Sequence, residues 1–409
     1  MKAFSQDFIR DLRALPRGVW VLVGGQFINK FGSFVMPFLS LYLAGRGLDM
    51  AGVAAVLAAI SVGHLVAPFA SGYLADAIGR RNTIVLSLAG SSIAIVGIYF
   101  AEGHAALITV ATVYGFFAWM YGPPANALVS DLVPPEQRVM AFALLRLAIN
   151  AGFAAGPAIA GVLFTRAPIL IFLGDAATTM AFAILAWFYL PHGLRTVVGR
   201  VTSPRVVARS WIEATADMLR HPAYMQLLIA TLLMAVAFQQ VFTVLALDAT
   251  ARGLDPVAYG ALMGFNGLLI TLFELPLSQW IKHYSPRLVL RIGYATIGLG
   301  CAAFSLARTL PEFLAAMALF TFGEMLSLPV AAGYSSHLAP ARYRGRYFGW
   351  TSVAWSVAGM AGSMGVWVYG RVGEVWWLWT AAFAAVGTLV MWPGLRERAP
   401  SDAVAVVAK

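Results

Sequence analysis

The chain alternates between long apolar runs and short polar or Gly/Pro breaks. The runs cover 18–44, 51–76, 83–101, 105–131, 139–165 and 168–190, then 223–250, 256–281, 288–307, 312–337, 346–369 and 373–394. A membrane-crossing helix needs about 20 predominantly apolar residues, and each run approaches or exceeds that length. A membrane β-barrel would instead show short segments of alternating hydrophobicity. The pattern predicts an all-α polytopic membrane protein with twelve transmembrane helices.

Composition supports this reading. Only 11% of the 409 residues are charged and 60% are hydrophobic, whereas soluble domains carry about 25% charged residues. The net charge of +10 raises the question of a nucleic-acid partner, and the placement of the charges answers it. With both termini in the cytoplasm, 21 of the 28 Lys and Arg fall in cytoplasmic segments. Five fall on the other side (Arg46, Arg166, Arg252, Arg308 and Arg371), and Lys30 and Arg146 lie within spans. This is the positive-inside bias, so the basic charge reports topology and not nucleic-acid binding. The expected location is the inner (cytoplasmic) membrane, multi-pass.

Residues 1–17 place Phe4, Phe8, Leu12 and Leu15 at helical spacing among basic residues. That is the pattern of an amphipathic segment on the cytoplasmic membrane face, and not of a cleaved signal peptide. Residues 396–409 form a cytoplasmic tail. The single cysteine, Cys301, excludes an intrachain disulfide and a multi-cysteine metal site. No metal or cofactor is expected.

The tetrapeptide RGLD occurs at 46–49 and again at 252–255, an offset of 206. The same offset aligns PPANALVSDLVPPEQRVMAF (123–142) with PVAAGYSSHLAPARYRGRYF (329–348). The chain thus reads as two six-helix halves, 18–190 and 223–395, joined by a polar cytoplasmic linker over 191–222. Parallel repeats related by an axis along the membrane normal suit transport by alternating access.

GYLADAIGRRN (72–82) lies between the second and third spans, and INAGFAAGPAIAGVLF (149–164) lies in the fifth. The first resembles the loop signature of the major facilitator superfamily, through Gly72, Leu74, Asp76, Gly79, Arg80 and Arg81. Ala77 departs from the usual Arg. The second resembles the antiporter motif of that superfamily's exporters, through Gly152, Gly156, Pro157 and Gly161, with Ala160 in place of a Gly. The resemblance covers length, helix number, repeat and linker. It implies a conformational latch of Asp76, Arg80 and Asp131 at the cytoplasmic side, with Gly72 allowing close helix packing and Gly79 a tight turn. The second-half counterpart, SQWIKHYSPRL (278–288), lacks both glycines and the Asp, so a latch is expected in the first half alone. The resemblance also implies a proton-coupled drug exporter. An Arg common in the fourth span of such exporters is replaced by Thr112, which puts Arg146 forward as its substitute.

Ionisable groups at membrane depth are costly and mark function. Glu324 is the leading candidate to carry the coupling proton, with Glu274 and Arg146 as further candidates. Lys30, Gln26, Asn29, Tyr121, Asn150, Gln239, Asn266 and Trp355 are candidates to line the substrate cavity. Asp175 is expected to make a structural hydrogen bond, and His64 to pack.

The expected function is secondary active transport: proton-coupled efflux of a small amphipathic or lipophilic compound by a rocking exchange of access. The partners are that small molecule, protons and the lipid bilayer, and the expected state is a monomer. The alternative is proton-coupled import of a small polar or anionic solute through Lys30. A membrane-embedded enzyme is disfavoured, since no nucleophile–base pair, HExxH or phosphate-binding Gly loop is present.

Overall fold

The computed structural model describes residues 15–191, 204–340 and 343–392. The amphipathic segment before residue 15, the C-terminal tail and the side chains of Asp76, Arg138 and Arg344 lie outside the described residues.

In chain order the helices are α1 (Arg17–Phe31), α2 (Val35–Gly45), α3 (Met50–Ala77), α4 (Arg80–Phe100), α5 (Gly103–Met120), α6 (Gly122–Leu132), α7 (Pro135–Arg166) and α8 (Ile169–Tyr189). They continue with α9 (Pro204–Leu219), α10 (Pro222–Thr243), α11 (Leu245–Ala251), α12 (Pro256–Ile281), α13 (Pro286–Leu306), α14 (Leu310–Leu338), α15 (Arg344–Val372) and α16 (Trp376–Val390). Among the described residues, 11 helical stretches are long and apolar enough to cross a membrane. The last of them, Arg346–Val390, contains both α15 and α16, which brings the spans to the expected twelve.

The apolar runs fix where helices lie, and short polar signals fix where they start. Both RGLD copies do the same work. Gly47 and Gly253 adopt φ of +85° and +93°, a region that glycine enters without steric cost. Two residues later an Asp caps the next helix: Asp49 accepts from the Gly52 N–H at 2.8 Å, and Asp255 from the Ala258 N–H at 2.7 Å. Such caps satisfy N–H groups that the helix itself leaves open.

Three spans that the apolar pattern reads as continuous are interrupted. The first breaks at Gly32–Phe34, the fourth at Tyr121 and the seventh at Val244. Pro123 and Pro124 account for the fourth, because proline lacks the N–H that would continue the preceding helix. At the first break, a Cβ on Gly32 would collide with the Thr178 side chain of α8.

Packing divides the chain into two compact units, Met1–Gly199 with Ala249–Thr271, and Arg200–Asp248 with Leu272–Lys409. In the first unit, Gly63 of α3 and Gly115 of α5 bring two backbones into contact, and a Cβ at Gly63 would lie 2.5 Å from the Phe116 nitrogen. Small residues at crossings are the usual means of helix association in lipid. Serines add hydrogen bonds between helices, as from Ser71 Oγ to the Met120 carbonyl at 2.7 Å and from Ser92 Oγ to the Ala176 carbonyl at 2.8 Å.

In the second unit, part of the polar linker forms α9, which the apolar pattern does not reveal. Its Trp211 packs on Gly349 of α15. Tyr347 donates to Asp217 at 2.7 Å, and Trp350 Nε1 donates to Thr215 Oγ1 at 3.1 Å. The helix is thereby tied to the start of the eleventh span.

Candidate functional site

The loop motif is built on a single tight turn. Gly79 has φ +91° and hands the chain from α3 to α4, which starts with Arg80 and Arg81. From there the Arg80 guanidinium forms an ion pair with the Asp131 carboxylate and donates to the Ala127 carbonyl at 2.7 Å. Arg80 thus fastens the start of α4 to the end of α6. Arg81 is half-buried, with its guanidinium 4.9 Å from the centre of the Trp187 ring, a cation–π geometry. Gly72 does not play its expected role. Among the described residues nothing lies within 4 Å of where its Cβ would be, so close packing does not require glycine there.

The glycine motif of α7 lies against backbone. A Cβ at Gly152 would fall 2.7 Å from the Phe27 carbonyl oxygen and 2.8 Å from the Phe31 nitrogen. One at Gly156 would strike the Phe31 carbonyl oxygen, and one at Gly161 would sit 2.5 Å from the Pro256 carbonyl oxygen. Within the first unit these glycines therefore seat α7 on α1, next to the break in the first span, and on the start of α12. Pro157 lies inside α7, where Gly260 of α12 approaches its carbonyl.

Beside that break is a cavity of about 250 Å³. Gln26, Asn29, Lys30 and Tyr121 line it together. Asp175, Thr179, Tyr114 and Trp119 line it too. Asn29 Nδ2 donates to Thr179 Oγ1 at 2.9 Å, and Thr179 reaches Asp175 at 3.5 Å. The Asp175 carboxylate accepts from the Val35 N–H at 3.2 Å. The expected structural hydrogen bond of Asp175 is therefore present, but the residue also faces the cavity that holds Lys30. His64 stacks behind Trp119 with ring centres 4.5 Å apart.

The remaining candidates do not line this cavity. In the first unit, Arg146 is exposed and Asn150 half-buried on α7, while Asn266 is buried on α12. In the second unit, Glu274 is buried, Glu324 and Gln239 are half-buried, and Gly362 packs on Gln239. Trp355 contacts Phe238 edge-to-face at 5.5 Å and lines a separate, largely apolar cavity of about 100 Å³ with Tyr224, Met234 and Phe348.

Asp248 escapes the sequence reading because it lies near the end of an apolar run. It is buried, accepting from Tyr369 at 3.0 Å and from Trp377 Nε1 at 2.9 Å. The available signal was an aspartate at the end of the seventh span in the same half as the tryptophans Trp376, Trp377 and Trp379.

The comparisons agree with this architecture. The Major Facilitator Superfamily model matches residues 22–363 and again 249–405. A Na(+), Li(+), K(+)/H(+) antiporter of Planococcus maritimus is 26% identical, over 83% of this chain and 86% of its own length. The uncharacterized MFS-type transporter YttB of Bacillus subtilis (strain 168) is 29% identical, over 86% and 87%. The multidrug resistance protein MdtH of Klebsiella pneumoniae (strain 342) is 24% identical, over 94% and 95%. Among solved structures, a POT family transporter in complex with 5-aminolevulinic acid superposes with a TM-score of 0.77 at 15% identity, covering 92% of this chain and 95% of that one. The nucleoside transporter NupG, in mutant form, gives a TM-score of 0.77 at 14% identity, over 91% and 98%. With twelve helical spans, a repeat at a fixed offset and a family model matched along nearly the whole length, the chain belongs to the Major Facilitator Superfamily and is a membrane transporter of small molecules, not an enzyme.

Proposed function

We propose that the chain is a proton-coupled antiporter that exports a small amphipathic or lipophilic compound across the cytoplasmic membrane, with both termini in the cytoplasm. The observation that carries this reading is the cavity of the first unit. A lysine, an aspartate and two amides are held at membrane depth beside Trp119 and Tyr121. Polar and ionisable groups there are expensive to keep without use, and a mixture of aromatic wall and a few polar groups suits an amphipathic ligand. The names of an antiporter and of multidrug resistance proteins among the relatives support both the coupling and the cargo class. The halves 18–190 and 223–395 exchange access by rocking. The Arg80–Asp131 pair, with Asp76, sets the balance between the two access states, and Glu324, Glu274 and Arg146 are the candidates for proton coupling outside this cavity.

The test is efflux of a lipophilic dye such as ethidium from cells producing the protein, with and without an uncoupler. Uncoupler-sensitive efflux is expected. Efflux that persists at full rate after the proton gradient collapses overturns the coupling. Lys30 in the same cavity favours one second reading, uptake of a small anionic solute with a proton. Accumulation of such a solute against its gradient, driven by an acid exterior, would decide for it.

A further inference from the structure

Asp175 has two relationships that are seldom combined in one carboxylate. It lines the polar cavity, and it caps a helix that is not its own. The first span is cut at Gly32–Phe34, so α2 starts in the middle of the unit. No residue of the first span caps α2 through its side chain. Asp175 of α8 does so instead, through the Val35 N–H, 140 residues away in sequence. On the other side of the break, Lys30 lies in the last turn of α1 and lines the same cavity as Asp175. Both charges thus sit at the helix end whose dipole favours them: a cation at a C-terminus and an anion at an N-terminus.

The surroundings leave few other charges to hold this pair. Four elements pack on α8: α4, α1, α7 and α2. Among the described residues, Lys30 of α1, Tyr114 of α5 and Tyr121 between α5 and α6 are the titratable side chains that line the cavity with Asp175. Thr179, on its own helix, supplies a hydroxyl. The carboxylate opens on a cavity of about 250 Å³ with polar walls and room for water, from which a proton can reach it. Because it holds the break, gaining a proton has a mechanical result.

The geometry points to Asp175 as a proton-binding residue whose charge controls the break in the first span. Ionised, it holds the start of α2 and balances Lys30. Protonated, by a proton taken from water in the cavity, it keeps only a neutral acceptor for Val35 and releases Lys30 from its counter-charge. The start of α2 and the Lys30 side chain then shift together, and the Gly152–Gly156 face of α7, seated on α1, moves with them. This deepens the proton-coupled reading above and rests on it, but it moves the proton from Glu324 in the second unit to the first unit.

The test uses purified full-length protein without a substrate. Infrared difference spectra between acid and alkaline buffer report the C=O stretch of a protonated carboxyl. A component of that band that disappears in Asp175→Asn is expected, and a spectrum identical to wild type overturns the assignment. Asn keeps an acceptor for Val35, so this variant removes the charge and not the cap. If it does not fold, Asp175→Glu keeps a titratable group, and a shifted band is expected where an unmoved one overturns the assignment. The mechanical half is read from a Ser33→Cys reporter at the break, in a Cys301→Ala background. Its maleimide labelling, normalised to a free thiol, is expected to change several-fold with pH and to lose that change in Asp175→Asn. Labelling that keeps its pH dependence in Asp175→Asn overturns the control of the break. Failure here, with uncoupler-sensitive dye efflux intact, removes only Asp175. Loss of uncoupler sensitivity in wild type removes the antiport reading itself.

Discussion

The Arg80 guanidinium pairs with the Asp131 carboxylate while a hydrogen bond from the same side chain to the Ala127 carbonyl fixes its direction. The two side chains have exposures of 16% and 18%, while Asp131 as a whole residue is exposed. That places the pair between exposed ion pairs, which contribute about 0–1 kcal/mol, and buried ones, whose breaking costs about 3–5 kcal/mol. Arg80→Gln and Asp131→Asn are each expected to cost about 1–3 kcal/mol and to lower dye efflux. The reversed pair Arg80→Asp with Asp131→Arg is expected to recover part of the loss. A double-mutant cycle on efflux rate and melting temperature checks this, and strict additivity of the two single effects would refute a direct coupling.

Two glycines of the motifs should behave in opposite ways. A methyl group at Gly152 would meet the backbone of Phe27 and Phe31 at 2.7 and 2.8 Å, and neither atom can yield without moving α1. Overpacking of this kind costs about 1–3 kcal/mol, so Gly152→Ala is expected to lower thermal stability and transport together. Gly72→Ala meets open space and removes a residue of poor helix propensity, so stability should hold or rise by up to about 1 kcal/mol. Fluorescence-detected melting of the two variants side by side is sufficient.

The α9 contacts can be tested one bond at a time. Tyr347→Phe deletes the hydroxyl that donates to Asp217 at 2.7 Å and keeps the ring packed against Tyr224 at 4.3 Å. A loss of about 0.5–1.5 kcal/mol is expected for one such hydrogen bond. It should be felt first as faster proteolysis near residues 204–219, because local opening precedes global unfolding. Unchanged cleavage kinetics would mean that Trp211 on Gly349 holds the helix without help.

The sequence made some of this architecture plain and hid the rest for physical reasons. Span positions follow from hydropathy because lipid admits few alternatives to a fully hydrogen-bonded helix. The RGLD caps and the Gly79 turn are local, and local chemistry is legible. The break at Gly32–Phe34 is not, because Gly32 is required by Thr178 of a distant helix and the freed N–H of Val35 is answered by Asp175. The same distance hid the function of Asp175: one polar residue in an apolar run looks like any other until its partners are known. Gly72 erred the other way, since a glycine in a motif suggests contact where the fold leaves space.

Lys30 gives the remaining prediction, and it concerns cargo. The ammonium lines the same cavity as Gln26, Asn29, Trp119 and Tyr121, so a ligand that enters meets a cation, two amides and aromatic faces. An anionic group on the ligand gains from the cation, while a neutral or cationic amphiphile relies on the aromatic wall. Lys30→Gln keeps a hydrogen-bonding side chain, shorter than lysine, and removes the charge. Thermal-shift measurements with a panel of anionic, neutral and cationic amphiphiles are expected to separate these contributions. Stabilisation by anions should fall by about tenfold in apparent affinity, or about 1.4 kcal/mol, while that by neutral compounds changes little. Because a ligand stabilises only in proportion to its binding to the folded state, an equal loss for every class would show that Lys30 supports the fold beside Asp175 and does not read the charge of the cargo.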